Sequence, residues 1–402
     1  MLTTTAPRGL SELEPVTSDS LLTLIALANA DSRPEKIDVG VGVFRDGQGR
    51  TPILRAVKEA ERRLHEQQST KAYLGGAGDR RFPELLKPVV LGPHAADERI
   101  AGLQTPGGCG AIYLAMQLVR TVNPQARVFV GVPTWPNHPP MIDGAGLEIV
   151  DYPHLDRDTG GVRFGALFAK LREARSGDVV LLHGCCHNPT GADLSAAEWD
   201  QVAELISARG LLPIVDIAYQ GLGRGLEEDS YGVRRVLDLS DEALIAQSCD
   251  KNFGVYRDRV GCLFVKTRSK EATATAFAHL LQLAREAWSM PPDHGAAAVR
   301  MVLEDEALTA DWKAELAHMR GRITAVRQRI AAADERLAFV AHQFGMFSML
   351  PLSKDQVESL RERHAIYMAD SGRINVVGIA DEAIDRFCVA IVETLDSPAA
   401  HG

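Results

Sequence analysis

The sequence predicts an α/β protein: a larger region built on a mostly parallel sheet, followed by a smaller α+β region. Three observations lead there. Between residues 126 and 267, six short apolar runs recur, "ARVFVGV", "LEIVDY", "DVVLLH", "LLPIVDI", "ALIAQS" and "GCLFVKT". They alternate with helical patterns, and a strand buried on both faces reads as an unbroken apolar run of this kind. Past residue 312 the pattern gives way to one long amphipathic helix and shorter pieces.

Bulk properties narrow the function classes. A chain of 402 residues is long for one core and predicts two domains. Its 46% hydrophobic and 24% charged residues are the balance of a globular protein. The net charge of −9 comes without a long run of either sign, which argues against a nucleic-acid partner. Six cysteines (109, 185, 186, 249, 262 and 388) are too few for a disulfide scaffold and point to a reducing compartment. "LLTLIALANA" (21–30) ends like a secretory signal, but Glu12, Glu14 and Asp19 precede it and Arg8 is the sole basic side chain upstream. A secretory leader opens positively, so the segment reads instead as an amphipathic helix beginning at Ser18–Ser20. No apolar run is long enough to span a bilayer, so no membrane partner is expected and the expected location is cytoplasmic.

Taken in chain order, residues 34–50 form an extended, glycine-rich arm expected to pack with the C-terminal region. Strands are predicted at 126–132, 147–152, 178–183, 211–217, 243–248 and 261–267. Leu316, Met319, Ile323, Val326 and Ile330 step by three and four, the stripe of one long helix. Strand-like pieces follow at 337–350 and 372–378, with a last helix at 381–395. The predicted division is 46–312 for the larger domain, and 1–45 with 313–402 for the smaller, the long helix joining them and the site lying in the cleft between.

Almost every unusual polar stretch falls at the carboxyl end of a predicted strand, where ligands of parallel sheets bind. "TPGGCGAIYLAMQLV" (105–119) runs a glycine-rich turn into a helix and can offer N–H groups to an anion, though a plain tight connection fits it equally. "HGCCHNPTG" (183–191) gathers His183, Cys185, Cys186 and His187, but neighbours on an extended chain point in opposite directions, which disfavours a metal. Its informative part is the Asn188 turn. Asp216 is a carboxylate at the end of an apolar strand and needs a cationic or N–H partner, a structural histidine or arginine being the plain choice. Trp135 in "PTWPNH" is either a core aromatic or a platform for a flat ring. Lys251 would be a solvated charge in most settings, yet desolvation at a cleft would make it an amine nucleophile. Arg259 and Arg373, ordinary surface charges if taken singly, can grip a phosphate and a carboxylate. Together the set describes a ligand with a phosphate, a flat heteroaromatic ring, a basic ring nitrogen and an aldehyde, which is pyridoxal 5′-phosphate.

With those residues in place the chain resembles class I aminotransferases of the aspartate and aromatic amino acid branch, fold type I, from about residue 15 to 395. The motifs that carry the likeness come in family order: "VGVGVF", "AYLGGAG", "TPGGCGA", "WPNH", "HGCCHNPTG", "DIAYQG", "KNFGVYRDRVG", "WSMPP", "GMFS" and "SGRINV". The resemblance implies that Lys251 forms the Schiff base with the cofactor, is displaced by the amino donor and then moves the proton. By the same resemblance Asp216, supported by His138, keeps the ring nitrogen protonated. Asn188 and Tyr219 bond the ring oxygen, and Trp135 stacks on the ring. Gly108, Cys109, Ser248 and Arg259 hold the phosphate, with Tyr73 reaching in from a second subunit. Arg373, near Gly42, binds the substrate α-carboxylate, and Arg285, also from the second subunit, binds a distal one. A homodimer with shared sites, working on amino acids and 2-oxo acids, is the unit implied.

Two departures stand out. The family generally has serine where this chain has Asp250, and often threonine or serine where it has Cys109. Asp250 either turns away or pairs with an arginine such as Arg257. Ala72 and Met290 replace asparagines common in aspartate-specialised members, which favours an aromatic/aspartate transaminase using 2-oxoglutarate. The alternatives are an aspartate-specific transaminase, or a decarboxylase or lyase on the same cofactor.

Overall fold

The computed structural model describes residues 9–13 and 20–397. After a short helical turn at Leu10–Glu12 come helix α1 (Ser20–Ala30) and the two-residue strand β1 (Ile37–Asp38), and α2 (Arg55–Gln67) and α3 (Arg81–Leu91) follow. The expected start of the first helix at Ser18 lies outside the described residues. Next come β2 (Ile100–Pro106), α4 (Gly107–Val122), β3 (Arg127–Val132), α5 (His138–Gly144) and β4 (Glu148–Pro153). Then α6 (Phe164–Leu171), β5 (Val179–His183), α7 (Ala196–Arg209), β6 (Leu212–Ile217), α8 (Tyr231–Leu239), β7 (Ala243–Ser248) and β8 (Val260–Lys266) complete the strand-rich part. The remainder is α9 (Lys270–Ala287), α10 (His294–Glu304), α11 (Glu306–Ala331), β9 (Phe347–Met349), α12 (Lys354–His364), β10 (Ile366–Tyr367), β11 (Arg373–Asn375) and α13 (Ile384–Asp396).

Seven strands form one sheet in the order β2-β8-β7-β6-β5-β3-β4. All six expected strands are there, each within a residue of its expected bounds. Pairing is parallel from β7 through β4, and β8 alone runs against both its neighbours, β7 and β2. The reversal follows from the connection: the turn between β7 and β8 holds no helix, and a parallel crossover needs one. The sheet's seventh strand, β2, was not expected, because Gly102 and Gln104 interrupt its apolar run.

Alternate residues along each strand feed two separate cores. Val128, Leu181, Ile214 and Leu244 pack against α4, α5 and α9, while Phe129, Leu182, Val215 and Ile245 face α2, α7, α10 and α11. The five stripe residues from Leu316 to Ile330 are all buried on the 26-residue α11. The same helix buries a charge among them: Arg327, 3% exposed, donates to the carbonyls of Val340, Phe344, Gly345 and Phe347 and to Ser348 Oγ. Desolvation brings this guanidinium down to about 10. The stretch expected as strand from 337 to 350 is therefore mostly a helical turn wrapped on Arg327, with β9 at its end.

The glycine-rich arm does join the C-terminal elements. β1 pairs in parallel with β10, and β9 pairs antiparallel with β11. Leu24 and Ala28, one turn apart on α1, pack on Ala365 and Tyr367.

Candidate active site

The carboxyl ends of β2, β3, β5, β6 and β7 open on one side of the sheet, and the reversed β8 brings its amino end to that side. Five connections thus meet there. Their side chains line one pocket: Gly108, Cys109, Trp135, His183, Cys185, Asn188, Asp216, Ala218, Tyr219, Ser248, Asp250, Lys251 and Arg259. Nine of the residues expected from the sequence are in this set, and His138 stands directly behind it.

Asp216 follows the apolar core of β6 and is 6% exposed. Its Oδ2 lies 3.0 Å from His138 Nε2, while Oδ1 is buried with no partner in the protein. Burial works to raise this carboxyl, but the His138 hydrogen bond and the nearby Lys251 amine outweigh it, leaving it below the ordinary value. An ionised Asp216 takes the His138 Nε2–H. Thr134 Oγ1 then bridges His138 Nδ1 at 2.8 Å and His183 Nε2 at 2.9 Å. His183 packs on His187 with ring centroids 4.0 Å apart, and His187 stacks on His154 at 3.7 Å and 11°. Desolvation pulls His154 down to about 4 and His183 to about 3, so both stay neutral. Within "HGCCHNPTG", His187 Nδ1 bonds Thr190 Oγ1, while Cys185 and Cys186 lie beside Asp229, whose carboxylate accepts from the N–H groups of Gly221, Gly223 and Arg224.

Lys251 lies one turn past β7, with Nζ 5.1 Å from the Tyr219 ring centroid. Burial lowers its ammonium, opposed by the carboxylates of Asp250 and Asp216. Tyr219 is pushed up by burial and keeps its phenolic proton. The Lys251 turn is anchored from behind: Trp312 Nε1 of α11 donates to Asn252 O at 2.7 Å, and its ring stacks on Phe253 at 4.3 Å.

The Asn188 turn ends at Gly191, whose φ of 70° and close approach to Phe347 O exclude a side chain. This close packing sets Phe347 beside the pocket. The Phe347 ring lies 5.9 Å from Tyr219 and 5.0 Å from the Arg373 guanidinium, and a Cβ on Gly42 would meet it at 2.8 Å. Arg373 Nη2 donates to Gly40 O at 2.5 Å. Arg373 and Gly42 therefore approach the Lys251 pocket through Phe347.

The partner of Asp250 is Arg259, not Arg257, and the acid does not turn away. The β7–β8 turn decides it: Cys249 N–H donates to Val260 O and Val260 N–H to Asp250 Oδ1, placing 250 opposite 259. Tyr73 and Arg285 also lie outside the pocket of a single chain. Tyr73 is 92% exposed, and Arg285 is exposed in the last turn of α9. Ala72 and Met290 line a different cavity, about 680 Å3, beside α2 and α10.

Several contributors escaped the sequence reading: Thr134, His154, Phe347, Trp312 and Arg327. Thr134 and Phe347 lie inside quoted motifs and were findable as polar or aromatic residues at strand ends. His154 carries no such signal.

The orphaned Oδ1 of Asp216 and the likewise orphaned Asn188 Oδ1 sit at the wall of a pocket closed by an indole and floored by the first turn of α4. A flat ring with a protonated nitrogen and a phosphate matches that donor and acceptor set.

Residues 34–391 match the sequence profile of aminotransferases of class I and II. The chain belongs to this family. Among its relatives, the tyrosine aminotransferase of Rhizobium meliloti is 49% identical over 90% of this chain and 94% of its own length. Aspartate aminotransferase of Escherichia coli K12 is 41% identical over 94% and 98% of the two chains. The crystal structure of an aromatic-amino-acid aminotransferase from Burkholderia pseudomallei, covalently bound to pyridoxal phosphate, superposes with a TM-score of 0.93 at 39% identity, covering 96% of this chain and 99% of that one. This α/β protein is thus a fold type I aminotransferase that depends on pyridoxal 5′-phosphate. Among the described residues no helix is long and apolar enough to cross a membrane.

Proposed function

We propose that this aminotransferase moves the amino group of an aromatic amino acid or aspartate to 2-oxoglutarate in a ping-pong cycle. Bound pyridoxal phosphate supplies a carbonyl for amine exchange and a protonated ring that draws electrons from the substrate Cα. Everything else is the work of this chain's side chains. Lys251 is the Schiff-base amine, and burial keeps more of it unprotonated and nucleophilic. With an amino donor in the pocket, Lys251 Nζ would serve as the base that takes the Cα proton and as the acid that returns it.

Asp216 would hold the ring nitrogen's proton with its free Oδ1, while His138 pins Oδ2. Asn188 and Tyr219 take the ring oxygen, and Trp135 covers the ring. Gly108, Cys109, Ser248 and Arg259 hold the phosphate, joined by Tyr73 of the partner subunit. Arg373 grips the α-carboxylate beside Gly42, and Arg285 of the partner subunit meets a distal carboxylate. The solvent exposure of Tyr73 and Arg285 in the single chain supports this homodimer with shared sites. The division into 46–312, and 1–45 with 313–402, and a cytoplasmic location belong to the same reading.

The observation that carries it is the single free oxygen of Asp216, buried in the pocket that Lys251 lines. Purified protein incubated with tyrosine, phenylalanine or aspartate and 2-oxoglutarate, in saturating cofactor, is expected to yield glutamate. Absence of glutamate with every donor overturns the proposal.

A further inference from the structure

Arg259 enters the pocket from the residue before β8, at a left-handed φ of 56°. Its Nη1 pairs with Asp250 Oδ2 and donates to Tyr256 O at 3.1 Å. The other oxygen of Asp250 takes Val260 N–H at 2.9 Å. Solvent reaches 2% of the Asp250 side chain and 44% of the Arg259 side chain, so the carboxylate is walled in while the guanidinium keeps an open edge. Both sit on the first turn of α4: a Cβ on Gly107 would come within 2.6 Å of Arg259 Nη2 and 3.0 Å of Asp250 Oδ2. Asp250 therefore stands where the helix offers its N–H groups to the cofactor phosphate.

The charge balance follows. The pocket's cations are Lys251 and Arg259, and its anions are Asp216 and Asp250. Condensation with the cofactor removes Lys251 from the cup, and Asp216 belongs to the ring end. At the phosphate end one guanidinium then meets one carboxylate. The two or so negative charges of a phosphate group are left to Ser248, the start of α4 and Tyr73 of the partner subunit, none of which carries a full positive charge. Cys109 adds a thiol where a hydroxyl would be the better donor.

We propose that Asp250 is a positioning residue that locks Arg259 in place and offsets its charge, so that this chain holds its cofactor by an exchangeable phosphate grip. The proposal rests on the pyridoxal phosphate reading of the pocket. Its strongest effect falls on the amino form of the cofactor, pyridoxamine 5′-phosphate, which has no bond to Lys251 to retain it.

The test is equilibrium dialysis of pyridoxamine 5′-phosphate against Asp250→Ser, Asp250→Asn and unsubstituted protein. Both substitutions are expected to tighten binding about ten- to a hundred-fold, the worth of one hydrogen bond to a charged group. Binding of pyridoxamine, which lacks the phosphate, should not change. Inorganic phosphate should raise the unfolding midpoint of the cofactor-free variants more than that of the unsubstituted protein. Equal or weaker binding by the variants overturns the proposal. Asparagine can still accept the Val260 N–H, which protects the fold. A second measurement needs no variant: holoprotein converted by excess amino donor and then dialysed is expected to lose its cofactor absorbance, and full retention overturns the idea. Glutamate formation by the unsubstituted protein in saturating cofactor tests the proposed reaction by itself, so failure here is separable from failure of that reaction.

Discussion

His138 Nε2 lies 3.0 Å from Asp216 Oδ2, and the other Asp216 oxygen is left buried without a protein partner. One carboxylate oxygen is thus fixed by the protein and the other is reserved for a ligand proton. Asp216→Asn preserves the shape but removes the charge that stabilises a protonated ring. Transamination is expected to fall by roughly a hundred-fold or more, in the range of a lost acid–base contribution. Steady-state kinetics with saturating cofactor checks it; wild-type turnover would remove Asp216 from the ring.

Lys251→Ala deletes the amine at the pocket wall. The visible absorption of the holoprotein should lose its lysine-linked band, and turnover should drop about ten-thousand-fold. Lys251→Arg restores the charge without a nucleophile and should restore neither.

Arg373→Lys keeps a cation over Phe347 but replaces a planar fork with a point charge. KM for the amino donor is expected to rise roughly ten-fold or more, with kcat less affected. An unchanged KM would place the substrate carboxylate elsewhere.

His154 is 6% exposed and held down to about 4 by desolvation. Its folded value lies below the ordinary 6.5, so its contribution to stability is complete above pH 6.5 and is lost as pH falls toward 4. Between pH 7.5 and 5.5 that loss is about 1.3 kcal/mol for this one group. His154→Phe keeps an aromatic ring against His187 and cannot take a proton. Denaturant unfolding at the two pH values should show a smaller drop for the variant by about that amount.

Trp312→Phe retains an aromatic partner for Phe253 but leaves Asn252 O without its donor. A loss of about 1–3 kcal/mol in unfolding free energy is expected. The Lys251 turn should also loosen, read as faster hydrogen exchange at Asn252 and Phe253 than at β6.

The strands that bear the site were readable because burial on both faces demands unbroken apolar runs, and the motifs at their carboxyl ends supplied Lys251, Asp216, Asn188 and Trp135. The direction of β8 was not read, because apolar content says nothing of direction; the missing crossover helix after Ser248 was the signal that carried it. β2 was hidden because Gly102 and Gln104 break its run, although Gly102 abuts Phe264 and Gln104 Nε2 bonds Pro292 O.

Sequence by itself determined the sheet-and-helix plan, the cofactor chemistry and the residues at the strand ends, since each is written in local composition and spacing. Only the tertiary structure decided that Asp250 is bound to Arg259, that Thr134 links His138 to His183, and that Trp312 braces the lysine turn across 60 residues of chain. The physical reason is that composition and periodicity record which side chains are buried. Which partner each one finds depends on how distant segments are brought together, and a single residue's identity does not encode that.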